Sequence, residues 1–229
     1  HFNKERLFKL YEQTKAPELL TILGQKIEIR RVFDHFLTRL ARNSTVDKRP
    51  SCFVCFALES DVTTWIEEVF VPDLEKAGIE PVVCLRQFGP GKELNTFQGK
   101  IRTTDKVVMI CTPLLKQKYE ARRRNPTGVA QEIRLARERY NDEANFETLF
   151  PVFFKGHGND ALPDPFFEPI YRTVLNENGD DVLSYYSNAF ELFAGIRGVK
   201  REVARKIRKD FFRQVETILE KTDFNFDQL

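Results

Sequence analysis

The sequence has no strong excess of charge. Its 36 basic residues nearly cancel its 34 acidic ones, so no chain-wide field draws it to nucleic acid or to an anionic membrane. Long apolar runs are missing as well. Hydrophobic residues make up 41% of the chain, yet no uncharged stretch approaches the ~20 residues that cross a bilayer. No secretory leader is legible, and the chain opens on His1 rather than Met, which reads as a fragment of a longer protein. Histidine is scarce, and His35 and His157 stand far apart with no Cys or Ser nucleophile signature beside them, so no catalytic triad is expected. Low-complexity segments and internal repeats are absent.

The four cysteines, Cys52, Cys55, Cys84 and Cys111, all fall in apolar runs that read as strands, which suits a reducing compartment. Cys52 and Cys55 spell a CxxC. In a strand, however, residues three apart project to opposite faces, and no second CxxC or HxxxH completes a tetrahedral set. Buried core thiols are expected, and no metal site.

The segment from Lys48 to Pro151 shows a clear order. SCFVCFALESD runs apolar into an acidic turn, then comes a helical stretch containing Trp65 and Leu74, then the strand IEPVVCL. A glycine-proline loop, Arg86 to Lys92, leads to the strand KVVMICTP, the helix VAQEIRLARERY and the strand LFPVFF. Short apolar runs alternating with helical patterns predict a parallel sheet covered by helices. Functional groups in such sheets gather beyond the carboxyl ends of the strands.

At these residues the chain resembles a TIR (Toll/interleukin receptor) domain. Phe53 to Phe56 followed by Glu59, Ser60, Asp61 and Trp65 resembles the first strand and first helix of that family, and Gly78 to Val83 the entry to its second strand. Arg86 to Lys92, centred on Gly89-Pro90-Gly91, is similar to the family's BB loop. Gln131-Glu132-Ile133 is similar to the helix position where enzymatic members carry a catalytic glutamate. The resemblance covers roughly Asp47 to Gly198, a normal domain size. It implies a flavodoxin-like three-layer α/β fold with a central parallel sheet and helical extensions at both termini. The division expected is a helical extension over 1–46, the TIR domain over 47–198, and a C-terminal helix over 199–229 that packs on the domain or extends it.

Enzymatic members of the family cleave the bond between nicotinamide and ribose in NAD+. Its leaving group already carries positive charge, so no general acid is needed, and the paired carboxylates of ordinary glycosidases reduce to one. That carboxylate stabilises an oxocarbenium-like sugar and orients its hydroxyls. The resemblance assigns this role to Glu132, two turns into a helix expected to start at Asn125-Pro126. Its plain alternative is one more solvated helix carboxylate, like Glu138 opposite Arg134 at i, i+4. As a solvent-accessible helix position, Glu132 is expected to tolerate alanine without loss of the fold.

Gly89 and Gly91 permit positive φ and exposed N–H groups that suit a phosphate, with Arg86 and Lys92 pairing to the pyrophosphate. In the family this loop also packs against a neighbouring domain, so the resemblance implies an interface at Phe88, Gly89 and Pro90, with Phe88 as its apolar tip. Phe56, Ala57 and Leu58 are expected to line the pocket floor. The turn after them supplies Glu59, Ser60 and Asp61 and no basic group. A phosphate-accepting receiver on a similar sheet is set aside because it needs an acidic pair after the first strand together with a strand-end lysine.

Two functions follow from the resemblance. One is an NAD+ glycohydrolase switched on by self-association through TIR domains, with NAD+ as substrate and no cofactor. The other is a non-enzymatic scaffold acting by contact with its own kind or with other TIR proteins. The setting expected is cytoplasmic, or the cytosol of a host if the chain is a secreted bacterial effector. At the C-terminal end, Val203, Ile207, Phe211, Val215 and Ile218 share one face of a helix, with Arg and Lys on the other.

Overall fold

A computed structural model describes residues 17–44, 48–84, 94–121, 127–142, 148–156, 160–163, 173–174 and 182–220. The long helix α1, Pro17–Arg42, precedes β1, Ser51–Cys55. Next comes a helical rod made of α2 (Ser60–Trp65), a π-helical turn (Ile66–Phe70) and α3 (Val71–Lys76). Then follow β2 (Glu80–Val82), α4 (Leu94–Gly99), a 3-10 turn (Lys100–Arg102) and β3 (Lys106–Cys111). The remainder is α5 (Pro113–Glu120), α6 (Gly128–Asp142), β4 (Leu149–Phe153), β5 (Thr173–Val174), α7 (Val182–Arg197) and α8 (Arg201–Glu220).

The five strands lie in the order β2-β1-β3-β4-β5, and every neighbouring pair is parallel, with Phe53 opposite Val82, Val54 opposite Val108, and Ile110 opposite Val152. This is the flavodoxin-like order, whose direction of winding reverses between β1 and β3 and opens a crevice at their carboxyl ends. The strands β1, β3 and β4 are buried on both faces, as near-continuous apolar runs require. Alternation sends Cys52, Val54 and Phe56 into one core and Phe53, Cys55 and Ala57 into the other. The two thiols of the CxxC therefore diverge, as strand geometry dictates.

The second core is closed by α4, α5 and α6, through Phe97, Leu115, Tyr119 and Ile133. The first is larger and has two layers of helix. Trp65, Phe70 and Leu74 from the rod and Phe190 and Phe193 from α7 lie on the sheet. Over them pack Phe33, Phe36 and Leu37 of α1 and Ile207, Phe211 and Val215 of α8. Phe33 meets Phe190 with ring centroids 5.0 Å apart and Phe211 at 5.8 Å. The apolar face read on α8 is thus its buried face, and α1 shares one core with the sheet.

The π-helical turn has a packing reason. Trp65 and Ile66 are buried, and so are Phe70 and Val71, five residues on. A π-turn of i→i+5 bonds brings both pairs to the core, whereas an unbroken α-helix would rotate the second away.

Two polar clusters tie the layers together. The Arg30 guanidinium holds the fully buried Asp73 carboxylate with two hydrogen bonds, one of 3.1 Å, and the Tyr185 hydroxyl donates to the same carboxylate at 2.7 Å. These three residues belong to α1, α3 and α7. Near the other end of α1, Arg197 donates to the carbonyls of Ala41, Gly78 and Lys48 at 2.9, 3.0 and 3.4 Å. Gly78 has φ +74°, and a Cβ there would stand 3.0 Å from that of Ala41.

Candidate functional site

The crevice at the carboxyl ends of β1 and β3 is built by the chain's local chemistry. Thr112 follows β3 and caps α5. Its hydroxyl oxygen accepts from the Leu115 N–H at 3.1 Å, and Pro113 follows as a first-turn residue. Across the crevice Thr112 Oγ1 donates to Glu59 Oε1 at 2.5 Å. Lys155, just past β4, reaches over to the same turn. It lies 3.6 Å from Glu59 and forms a closer ion pair with Asp61. The Lys155 hydrogen bond holds the Asp61 carboxyl below its usual range, and Asp61 in turn raises the Lys155 ammonium.

No basic group directly follows β1 in the sequence, because the base comes from a different strand. Thr112-Pro113 after KVVMIC and a lysine after LFPVFF were the available signals. Glu59 and Asp61 after β1 and Lys155 after β4 are each visible in the sequence, and the fold brings them together.

Glu132 lies beneath this edge, on α6. Thr127 caps that helix, accepting from the Ala130 N–H at 3.3 Å, while Asn125 and Pro126 lie outside the described residues. Glu132 is only 7% exposed, contrary to the expectation of a solvent-accessible position. It sits among Val129, Ile133 and Ala136 on the face of α6 that enters the second core. The Cys55 thiol, at the end of β1, donates a hydrogen bond to its carboxylate. Burial pushes the Glu132 carboxyl up to about 7, although the Cys55 hydrogen bond favours the ionised form. Burial also raises the Cys55 thiol well above its ordinary range, and the neighbouring Glu132 charge adds to that. Glu138, by contrast, is the surface carboxylate it was read as, paired with Arg134 one turn away.

The other residues read from the sequence divide. Phe56 enters the first core and Ala57 the second, while Leu58 projects outward at 62% exposure. The three follow β1 into the crevice but do not share a face. Arg86, Phe88, Gly89, Pro90, Gly91 and Lys92 lie outside the described residues. Among the described residues no group of three or more His, Cys, Asp or Glu is arranged to hold a metal ion, and no helix is long and apolar enough to cross a membrane.

This arrangement permits comparison with known folds. A prokaryotic SEFIR domain has a similar one. Its crystal structure matches over 64% of this chain and 92% of that one, at 23% identity and a TM-score of 0.49. That likeness concerns the fold alone. No family model matches the sequence, and no curated protein matches it.

Proposed function

We propose that this chain is a TIR-type signalling domain that cleaves the nicotinamide–ribose bond of NAD+ when it self-associates, with Glu132 as the carboxylate beside the ribose. The observation that carries the reading is the buried carboxyl of Glu132, bonded to the Cys55 thiol at the end of β1. Burial pushes that carboxyl up to about 7. A carboxyl so placed costs stability, and groups of that kind concentrate where chemistry is done. In its ionised form it would stabilise positive charge developing on the sugar far more strongly than a solvated carboxylate does. Cys55 would position it, and the Arg86–Lys92 loop would supply the pyrophosphate contacts and, with Phe88-Gly89-Pro90, the contact to the next domain.

The burial of Glu132 also favours the second reading, a scaffold acting through homotypic contact, because a ribose needs direct access to the carboxylate. The two readings separate in one experiment. Nicotinamide release from NAD+ is measured for the chain tethered densely to beads, beside Glu132→Gln and Glu132→Ala. The catalytic reading expects release by the parent and its loss in both variants. Equal release by the variants would remove Glu132 from the mechanism, and none from the clustered parent would leave the scaffold.

A further inference from the structure

On the far side of the first core, α7 and α8 diverge to leave a groove of about 1140 Å³. Its floor is apolar, made in part by Phe190, Ala194, Val199 and Phe212. Its walls carry Arg201, Arg205, Arg208, Lys209 and Arg213 against only Glu191 and Glu216. Glu191 is already engaged by Arg208 within the chain. A groove with an apolar floor and a basic rim suits an apolar anchor flanked by carboxylates.

The chain displays that complement on another element. Leu58 is the large apolar side chain left exposed among the described residues. It stands in the turn leading into α2, next to Glu59, and Asp61, Glu67 and Glu68 along the following helix are all exposed. Lys155 pairs with Glu59 and Asp61. Taken alone, an exposed leucine would need no explanation. Here it sits beside the exposed carboxylates of Asp61, Glu67 and Glu68, in the same molecule as a groove of opposite charge and matching apolar character.

We infer that the α7–α8 groove is a docking site for a second copy of this chain, which inserts Leu58 and sets the carboxylates of α2 and the π-helical turn against the basic rim. The two surfaces share no residue, so each copy keeps one of each free after pairing. The contact is heterologous and propagates head to tail into a ring or filament. It does not involve the Arg86–Lys92 loop and does not depend on NAD+ cleavage. Its test therefore reads assembly and leaves the catalytic proposal to its own assay.

Sedimentation velocity of the chain over a wide concentration range, at low and at high salt, gives the answer. The expected result is a mass that climbs with concentration and less steeply in salt, since rim charges are screened. Arg205→Glu with Arg213→Glu should weaken association about ten-fold or more, and so should Glu67→Arg with Glu68→Arg. Mixing the two double variants should restore it, because each then carries the charge the other needs. Leu58→Asp should weaken it without a charge swap that rescues. All these side chains are exposed, and circular dichroism on each variant confirms the fold. A chain that stays monomeric throughout, or variants that associate like the parent, overturns the proposal. So does a groove variant that keeps self-association but loses binding to phosphatidylserine vesicles or to an acidic peptide, since the groove would then belong to that ligand.

Discussion

Glu132 makes its own stability prediction, independent of any substrate. Its folded-state pKa of about 7 lies above the ordinary 4.5, so folding binds a proton in the window between those values. Below about 4.5 the folded and unfolded chains are both protonated at this site, and nothing is lost. As pH rises towards 7 the unfolded chain releases its proton first. Stability falls across that window, by roughly 3 kcal/mol for a shift of this size, and the loss levels off above it. Chemical denaturation of Glu132→Gln should therefore show a flatter pH dependence and greater stability than the parent at pH 8, with the difference closing near pH 5. If the ionised carboxylate does the chemistry, NAD+ cleavage by clustered parent should increase with pH through about 7. The same environment explains why the sequence misled about this residue. QEIRLARERY is charged along its length, and nothing in its spelling distinguishes the carboxylate that turns under Cys55 from the one that faces solvent at Glu138.

At the scale of elements, the ties between helices carry the sharpest expectations. Arg30→Ala leaves the buried Asp73 carboxylate without its cation, which should cost about 3–5 kcal/mol. Tyr185→Phe removes one hydrogen bond to the same carboxylate and should cost about 1–3 kcal/mol. Urea denaturation orders the two, and a larger loss from Tyr185→Phe would contradict the assignment. Gly78→Ala places a Cβ on a left-handed residue that already touches Ala41, for about 1–2 kcal/mol. The strands were legible because β1, β3 and β4 are apolar runs of the expected length, and α6, α7 and α8 because their periodicity is clear. The helix α5, TPLLKQKYE in sequence context, passed unread although Thr112-Pro113 is a cap signature. Among the described residues the two-residue β5 pairs only with β4, and it is too short to leave a pattern. The Lys155 contact with Glu59 and Asp61 joins residues about a hundred positions apart, which no local signal records.

For the whole molecule, the double-layered core sets how the chain folds. Phe211 of α8 contacts Phe33 of α1 and Phe190 of α7, and all three are buried. Phe211→Ala should cost about 3–5 kcal/mol. Removal of everything after Gly198 should expose the aromatic face of α1 and yield an aggregating or molten product, detected by dye binding and loss of near-ultraviolet dichroism. Calorimetry of the intact chain should show one transition, since α1, the sheet and α8 have no separate cores to melt.

The π-helical turn at Ile66–Phe70 has a further consequence for how this chain is compared with others. It contains one residue more than an α-helical path between Trp65 and Phe70 would hold. A relative built without it would differ by a single deletion inside a buried helix, a place where alignments seldom allow a gap. From Phe70 onward the apolar positions of the two sequences would then be offset by one, and a real kinship would score as a mismatch.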